Sequence, residues 1–180
     1  MAFSSPSEII GRLGVAAGSK VLDMGTGSGA YAHALADVVG SNGHVYIVDV
    51  QKELLSRVVQ SFHDMGLRQV TGIWGDIERP QGTKLKEKSI QAIVLANVMF
   101  QIQDKPAVVR EILRVADPDA KILLVEWSDS HGGIGPHPEH LFPVEEAVTF
   151  FKNHGFLVEE PFDSGDHHYG CIMTIKPLAQ

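Results

Sequence analysis

The stretch Val-Leu-Asp-Met-Gly-Thr-Gly-Ser-Gly-Ala at residues 21–30 decides the fold of this chain. An apolar run with strand character ends in Asp23, alternating glycines follow, and a helical pattern then occupies residues 31–39. Glycine lets the backbone turn sharply and lets a ligand approach it closely. A strand, a tight glycine turn and a helix N-terminus together predict a site for a nucleotide-type cofactor.

Two cofactors fit the spacing of this turn. Gly25, Gly27 and Ala30 satisfy the G-x-G-x-x-G/A dinucleotide fingerprint. Asp23, however, stands where a dinucleotide would place its doubly charged pyrophosphate, which a carboxylate repels. S-adenosylmethionine has no phosphate and carries an ammonium group, with which a carboxylate forms a charge-assisted hydrogen bond. The turn therefore favours S-adenosylmethionine over NAD, and an ordinary strand-turn-helix with an incidental Asp is the remaining alternative.

Two further strand patterns end in an acidic residue. Residues 44–49 read as a buried strand ending in Asp49, about 20 residues beyond the turn, where a carboxylate can accept both ribose hydroxyls of an adenosine. Such a residue serves NAD and S-adenosylmethionine equally. Residues 70–74 also read as a strand, and Gly75-Asp76-Ile77 follows it. Asp76 could accept a hydrogen bond from the adenine amino group with Ile77 against the ring, although Asp76 alone could simply cap a turn.

With these motifs the chain resembles the class I S-adenosylmethionine-dependent methyltransferases, in the style of the small-molecule enzymes related to ubiquinone and menaquinone biosynthesis. The matching segments are VLDMGTGSG, VYIVDV, GDIE, ANVMFQI and ILLVEW, in this order. The resemblance implies a cofactor site formed by Asp23, Gly25, Thr26, Gly27, Asp49, Val50, Asp76, Ile77 and Asn97. It implies that Asp23 and Gly25 hold the methionine part and that Asp49 holds the ribose. It further implies that Val50, Asp76 and Ile77 bind the adenine, and that Asn97 faces the methyl group.

The alternation of strand and helix patterns predicts an α/β fold with a doubly wound, Rossmann-like parallel sheet. We predict one domain over residues 1–180, with a short helical segment in residues 1–19. The predicted strands are 20–25, 44–50, 70–76, 90–98, 121–127, 156–162 and 169–176, and the predicted helices are 6–16, 28–39, 51–65, 105–116 and 143–154. The last two strands lack a helix between them and should form a hairpin. This resembles the seven-stranded methyltransferase sheet, order 3-2-1-4-5-7-6, with the last strand antiparallel.

Histidines concentrate in loops that should leave the carboxyl edge of this sheet, where ligands bind in open α/β folds. These are His131, His137, His140, His167 and His168. They could be solvated loop residues, a general base with substrate-orienting groups, or metal ligands. No H-E-x-x-H and no cysteine partner accompanies them, so we expect no metal. We predict that His140 or His168 reaches the acceptor as a catalytic residue, because Leu141-Phe142 should anchor the first and the last strand the second.

Composition bounds the remaining possibilities. The chain has 180 residues, a formal net charge of -7 and a single cysteine, Cys171, which excludes an internal disulfide framework. The acidic balance disfavours a nucleic-acid partner. Residues 1–6 lack the apolar region of a signal peptide, and no segment approaches ~18 consecutive apolar residues. We therefore expect a cytoplasmic protein that does not insert into a membrane.

The predicted function is methyl transfer from S-adenosylmethionine to a small molecule. An NAD-binding oxidoreductase is the main alternative, although the chain lacks a Tyr-x-x-x-Lys pair. A protein or RNA acceptor, or a binding module without catalysis, also remains open. Asn97 to Phe100 lacks the prolines of the N-P-P-F/Y motif, which puts methylation of adenine or glutamine amines in doubt. The cleft could be closed by residues 128–142, by a second copy in a homodimer, or by the substrate.

Overall fold

The computed structural model describes residues 5–130, 135–165 and 167–177. The α-helices in these residues are α1 Pro6–Leu13, α2 Ala30–Val39, α3 Lys52–Asp64, α4 Lys105–Val115 and α5 Val144–Asn153. The strands are β1 Lys20–Met24, β2 His44–Asp49, β3 Val70–Trp74, β4 Ile90–Ala96, β5 Ala116–Trp127, β6 Phe156–Val158, β7 Phe162–Asp163 and β8 His168–Ile175. Each predicted helix and strand has a counterpart among these elements. None of the described helices has the length and apolar character needed to cross a membrane.

The strands form one sheet in the order β3-β2-β1-β4-β5-β8-β6. Strands β1 to β5 pair in parallel, whereas β8 runs antiparallel to both β5 and β6. Since β6 and β8 are the sixth and seventh predicted strands, the predicted order and the antiparallel last strand are confirmed. The carboxyl ends of β1 to β5 therefore meet at one edge of the sheet.

Within the described residues the sheet has eight strands instead of the predicted seven, because the predicted strand 156–162 is divided into β6 and β7. Pro161 lies between them and has no N–H to donate to a neighbouring strand. After the interruption, β7 pairs with β8, with Phe162 opposite Gly170. A Cβ on Gly170 would collide with the ring of Phe162, so glycine at this position makes room for the ring.

Several element ends differ from the predicted ones for local backbone reasons. Helix α1 begins at a capping box, in which Ser5 Oγ accepts from the Glu8 N–H and the Glu8 carboxylate accepts from the Ser5 N–H. It ends at Leu13 instead of residue 16, because Gly14 has a left-handed conformation with φ +63°. Strand β4 ends at Ala96 instead of residue 98, because Asn97 has a φ of +55°. Pro143 precedes α5 as its N-cap and does not lie in its first turn.

Buried apolar side chains cover both faces of the sheet. On one face the core includes Leu22, Leu95, Leu124, Val108, Ile112, Ala147 and Phe151, which joins the sheet to α4 and α5. On the other face it includes Val21, Val94, Leu123, Ile9, Leu35 and Val58, which joins the sheet to α1, α2 and α3. Neighbouring residues of one strand, such as Leu123 and Leu124, thus face opposite layers, as the period of a strand requires. Helices on both faces leave the carboxyl edge of the parallel strands open to a ligand.

Candidate active site

A cavity of about 460 Å³ lies at the carboxyl ends of β1, β2, β3 and β4. The structure brings together at this cavity all nine residues predicted for the cofactor: Asp23, Gly25, Thr26, Gly27, Asp49, Val50, Asp76, Ile77 and Asn97. They come from four strand ends that are up to 74 residues apart in the chain (97 − 23). The parallel pairing of these strands is the reason that they meet.

The glycine turn after β1 is held against the end of β2. The N–H groups of Gly25 and Thr26 donate to the carbonyl oxygen of Val48, at 2.8 and 3.2 Å. Gly25 has a φ of +78°, and a Cβ on it would lie 2.6 Å from Cγ2 of Val98. Both the backbone conformation and the available space therefore require glycine at this position.

Asp23 is the most deeply buried carboxylate on the cavity wall, with 2% of its surface exposed. Its Oδ2 accepts a hydrogen bond of 2.7 Å from the Thr26 hydroxyl. Burial raises the pKa of Asp23 to about 6, and the nearby charge of Asp49 adds to this, while the Thr26 hydrogen bond opposes it. A buried carboxylate of this kind gains most from a cationic ligand group that restores the favourable electrostatics lost with water.

Asp49 connects two of the strand ends. Its Oδ2 accepts from the Gly27 N–H at 3.1 Å, and its Oδ1 accepts from the Gln51 N–H at 2.9 Å. The carboxylate is thereby fixed in orientation, while each oxygen keeps further acceptor capacity. The bond to Gly27 ties the turn after β1 to the end of β2, a structural role that the sequence did not indicate.

The chain after β3 makes a compact turn next to Asp76. Asp76 Oδ1 accepts from the Glu78 N–H at 2.9 Å, and Arg79 Nε lies 3.5 Å from Oδ2. The backbone crosses itself closely here, since a Cβ on Gly75 would collide with the carbonyl oxygen of Gly82. Asp76 thus both caps this turn and faces the cavity, so the two alternatives weighed from the sequence are compatible.

Glu78 fastens this turn to the loop after β4. Its Oε2 accepts from the N–H groups of Gln103 and Asp104, at 3.1 and 2.6 Å. Gln103 adjoins Ile102, which lines the cavity. Glu78 thus joins the turn after β3 to the loop after β4, and both segments contribute residues to the cavity wall.

Sequence reasoning missed several lining residues: Ser28, Ala30, Tyr31, Val48, Gln51, Gly75, Glu78, Ala96, Val98, Gln101 and Ile102. Most of them adjoin a predicted residue, so proximity in the sequence could have identified them. Tyr31 lies in the first turn of α2, where burial and the Asp23 charge raise its pKa to about 12. Gln101 ends the 3-10 turn Met99–Gln101 and Ile102 follows it, and no periodic sequence pattern indicates either residue.

Glu126, near the end of β5, is hydrogen-bonded to the segment after β4 that forms part of this wall. The side chain has 0% exposure, and its Oε1 accepts from the N–H groups of Val98 and Met99 at 2.8 and 2.6 Å. Burial raises the pKa of Glu126 to about 7, against the lowering effect of the backbone donors. The neighbouring Asn97 lines the cavity, and its buried Oδ1 has no hydrogen-bond partner among the described residues.

The charge of the wall is one-sided. The lining residues include Asp23, Asp49, Asp76 and Glu78, and within the described part of the chain they include no Lys, Arg or His. Carboxylates that line one cavity together attract a cation and repel a phosphate. The cavity therefore has the electrostatic character that suits a positively charged ligand and opposes a dinucleotide pyrophosphate.

The two histidines predicted to be catalytic lie outside this wall. Neither His140 nor His168 is among the described residues that line the cavity. The side chain of His140 is 63% exposed and lies 3.8 Å from Glu139 Oε1. His168 pairs with Trp127 at the β5–β8 boundary, with ring centroids 4.1 Å apart. Both residues belong to segments beside the exit of β5, and their catalytic role stays a prediction.

The other loop histidines are also partly accounted for. His167 Nδ1 lies 2.6 Å from Asp129 Oδ1, and His137 and His140 have ring centroids 6.2 Å apart. His131 lies outside the described residues. Among the residues that the structure does describe, no group of three or more His, Cys, Asp or Glu side chains could hold a metal ion.

Comparison with known proteins agrees with this geometry. The model of the methyltransferase domain family matches residues 16–147. Demethylmenaquinone methyltransferase of Oceanobacillus iheyensis is 30% identical over 118 residues, covering 65% of this chain and 48% of that protein. The ubiquinone/menaquinone biosynthesis C-methyltransferase of Vibrio campbellii is 26% identical over 157 residues, covering 84% and 56% respectively. The chain thus spans about half the length of the curated relatives that it matches.

The fold also matches a solved structure over nearly all of this chain. An S-adenosylmethionine-dependent methyltransferase from Aquifex aeolicus superposes with a TM-score of 0.88 and 25% identity, covering 96% of this chain and 90% of that one. The family match covers well over half of the chain, and the sheet order and the site at its carboxyl edge agree with it. The chain therefore belongs to the methyltransferase domain family, in the class I fold whose cofactor is S-adenosylmethionine.

Proposed function

We propose that this protein transfers the methyl group of S-adenosylmethionine to a small-molecule acceptor. The observation that carries the proposal is the cavity wall of four carboxylates without a basic side chain among its described lining residues. S-adenosylmethionine is a cation with an ammonium and a sulfonium, and it has no phosphate. The relatives named above are methyltransferases of menaquinone and ubiquinone biosynthesis, which supports a small-molecule acceptor.

The residues of the wall suggest a division of roles. Asp23 would accept from the ammonium of the methionine part, beside the turn of Gly25, Thr26 and Gly27. Asp49 would accept from the ribose hydroxyls, because its two oxygens are already oriented by backbone donors. Asp76 would accept from the adenine amino group.

Apolar and amide groups would complete the cofactor site. Ile77 is buried and Val50 is exposed at the cavity rim, so the two side chains would contact the adenine. Asn97 would face the methionine part and the methyl group through its buried Oδ1. None of these contacts requires a phosphate on the ligand, so the described wall residues would suffice to hold S-adenosylmethionine.

When bound, S-adenosylmethionine supplies a methyl group already activated on a sulfonium. What remains for the protein is to hold the acceptor atom in line with that methyl group, which is catalysis by positioning. An acceptor hydroxyl or acidic carbon would also need a base, for which we propose His140 or His168. A thiolate acceptor would need none.

An NAD-dependent oxidoreductase is disfavoured by the same wall, since its pyrophosphate would lie beside Asp23. A protein or RNA acceptor remains a second proposal of lower rank, and the net charge of -7 counts against RNA. The cytoplasmic location and the homodimer also stay predictions from the sequence. Fractionation of cells and light scattering of the purified chain would test them.

The cofactor assignment predicts a selective response in calorimetric titration and in thermal unfolding. S-adenosylhomocysteine should bind and raise the melting temperature, whereas NAD at the same concentration should do neither, because only NAD carries a pyrophosphate. Sinefungin, which bears an additional amine in place of the sulfonium, is a second cationic probe and should bind as well. Equal or stronger stabilisation by NAD would overturn the proposal, and a subsequent acceptor screen with small phenols, amines and thiols would assign the acceptor atom.

A further inference from the structure

Glu126 is hydrogen-bonded to the backbone of a cavity-lining residue, Val98, but does not itself line the cavity. It lies one residue before the end of β5, and its side chain is fully buried. A buried carboxylate is costly unless strong hydrogen bonds compensate for the lost hydration. Here one oxygen accepts from two consecutive backbone N–H groups, those of Val98 and Met99.

These two N–H groups need an acceptor because of the turn that precedes them. Asn97 leaves β4 in the left-handed conformation, with φ +55°, which is uncommon for a residue other than glycine. Its own N–H still donates to Val125 of β5, but the chain then turns away from the sheet. The N–H groups of the next two residues point to the Glu126 carboxylate, since β5 offers them no backbone oxygen.

The hydrogen bonds to Glu126 fix the turn at Val98 and Met99, and this turn forms part of the cavity wall. Val98 lines the cavity and presses against Gly25, where even a Cβ would come within 2.6 Å of its Cγ2. Gly25, which Val98 contacts, and Asn97, which precedes it in the chain, also line the cavity. A shift of Val98 would therefore displace the wall at these residues, where the methionine part of the cofactor would lie.

We infer that Glu126 is a positioning residue for the cofactor site, acting through the Val98 and Met99 amides on Asn97 and Gly25. The inference rests on the proposed function, because it names the cofactor whose affinity it affects. A purely structural carboxylate would instead stabilise the fold and leave the affinity of the folded protein unchanged. The two roles therefore differ in a quantity that can be measured.

The chain offers a matched control. Glu111 on α4 is also a buried carboxylate, and its Oε1 accepts from the N–H and the hydroxyl of Thr83, at 3.0 and 2.5 Å. It also pairs with Arg114 at 2.7 Å. Glu111 is not among the described residues that line the cavity. Its replacement should lower stability with no effect on the cofactor site.

The test compares Glu126→Gln, Glu126→Ala and Glu111→Gln by calorimetric titration with S-adenosylhomocysteine, well below the melting temperature of each variant. We expect Glu126→Ala to weaken binding about tenfold or more, because both backbone hydrogen bonds to the side-chain oxygen are lost. Glu126→Gln retains a carbonyl oxygen at the same place and should recover most of the affinity. Glu111→Gln should bind like the unaltered protein even though it melts earlier.

An unchanged dissociation constant in folded Glu126→Ala would overturn the inference, as would a Glu126→Gln that binds as weakly as Glu126→Ala. An equal loss in Glu111→Gln would also overturn it, since general loosening would then explain the effect. Amide hydrogen exchange gives a readout independent of the cofactor: exchange at Val98 and Met99 should accelerate in Glu126→Ala and not in Glu111→Gln. If the unaltered protein fails to bind S-adenosylhomocysteine but this exchange pattern appears, the proposed function fails while the positioning of the turn stands.

Discussion

At the scale of single residues, Asp23 shows how a binding group can reduce the stability of the protein that carries it. Its pKa is raised from 3.8 to about 6 by burial, so the folded state holds its proton more tightly than the unfolded state does. Between these two values the unfolded state has already released its proton. The contribution of Asp23 to stability therefore falls as the pH rises from about 4 to about 6, and it stays low above that range.

This linkage predicts the behaviour of Asp23→Asn. At pH 7.5 the ligand-free variant should be more stable than the unaltered protein, by on the order of 2–3 kcal/mol, because the amide is not penalised as a buried charge. At pH 4 the difference should vanish. Affinity for S-adenosylhomocysteine should fall in the variant at pH 7.5. Urea unfolding at the two pH values would measure this, with the exposed Asp37→Asn as control; a variant less stable at both values would contradict it.

Asp49 makes a different prediction, because its oxygens hold backbone groups as well as the proposed ribose. Asp49→Ala removes the bonds to Gly27 and Gln51 together with those to the ligand. Hydrogen bonds to charged groups contribute about 1.5–3 kcal/mol each, so affinity for S-adenosylhomocysteine should fall at least about tenfold with the fold intact. Asp49→Asn keeps one of the two acceptor oxygens and replaces the other with an NH2 donor, so it should lose less than Asp49→Ala but should not bind like the unaltered protein. An unchanged dissociation constant in Asp49→Ala would remove Asp49 from the ribose.

At the scale of elements, a glycine in the turn after β3 has no room for a side chain, whereas a glycine on the surface of α1 does. A Cβ on Gly75 would collide with the Gly82 carbonyl oxygen, whereas a Cβ on Gly11 in α1 would meet nothing within 4 Å. Gly75→Ala should therefore cost about 1–3 kcal/mol of stability. Gly11→Ala should add about 0.5–1 kcal/mol, because it removes freedom from the unfolded chain. Urea unfolding would measure both, and changes of the same sign would contradict this account.

Some features of the strands could be predicted from the sequence and others could not. The carboxyl ends of the first four strands were predictable to within two residues, because each apolar run stops near a carboxylate or an Asn, and parallel pairing then brings those ends together. The division of the sixth strand was not, although Pro161 marks the interruption, because its outcome depends on the pairing of Phe162 with Gly170. The role of Glu126 could not be predicted, since its two amide donors come from a segment 27–28 residues earlier in the chain.

At the scale of the whole molecule, the topology determines which loops can meet. The parallel strands place the cofactor cavity at one edge, and the antiparallel β8 begins at that edge, where His168 pairs with Trp127 at the end of β5. The overall charge of -7 says little about the ligand. What distinguishes the site is the local arrangement, in which four carboxylates from three strand exits surround one cavity.

This topology carries the last prediction. His140 and His168 lie on segments beside the exit of β5, whereas His44 begins β2 and so lies at the opposite edge of the sheet. If one of the first two is the general base, its alanine variant should lower kcat substantially, by about 100-fold, with cofactor affinity unchanged. The matched His44→Ala should leave kcat unaltered. Steady-state kinetics with an acceptor found in the screen, together with titration by S-adenosylhomocysteine, would measure both quantities. Full activity in both His140→Ala and His168→Ala would show that neither imidazole is the general base, and the acceptor would then have to lose its proton without these two histidines.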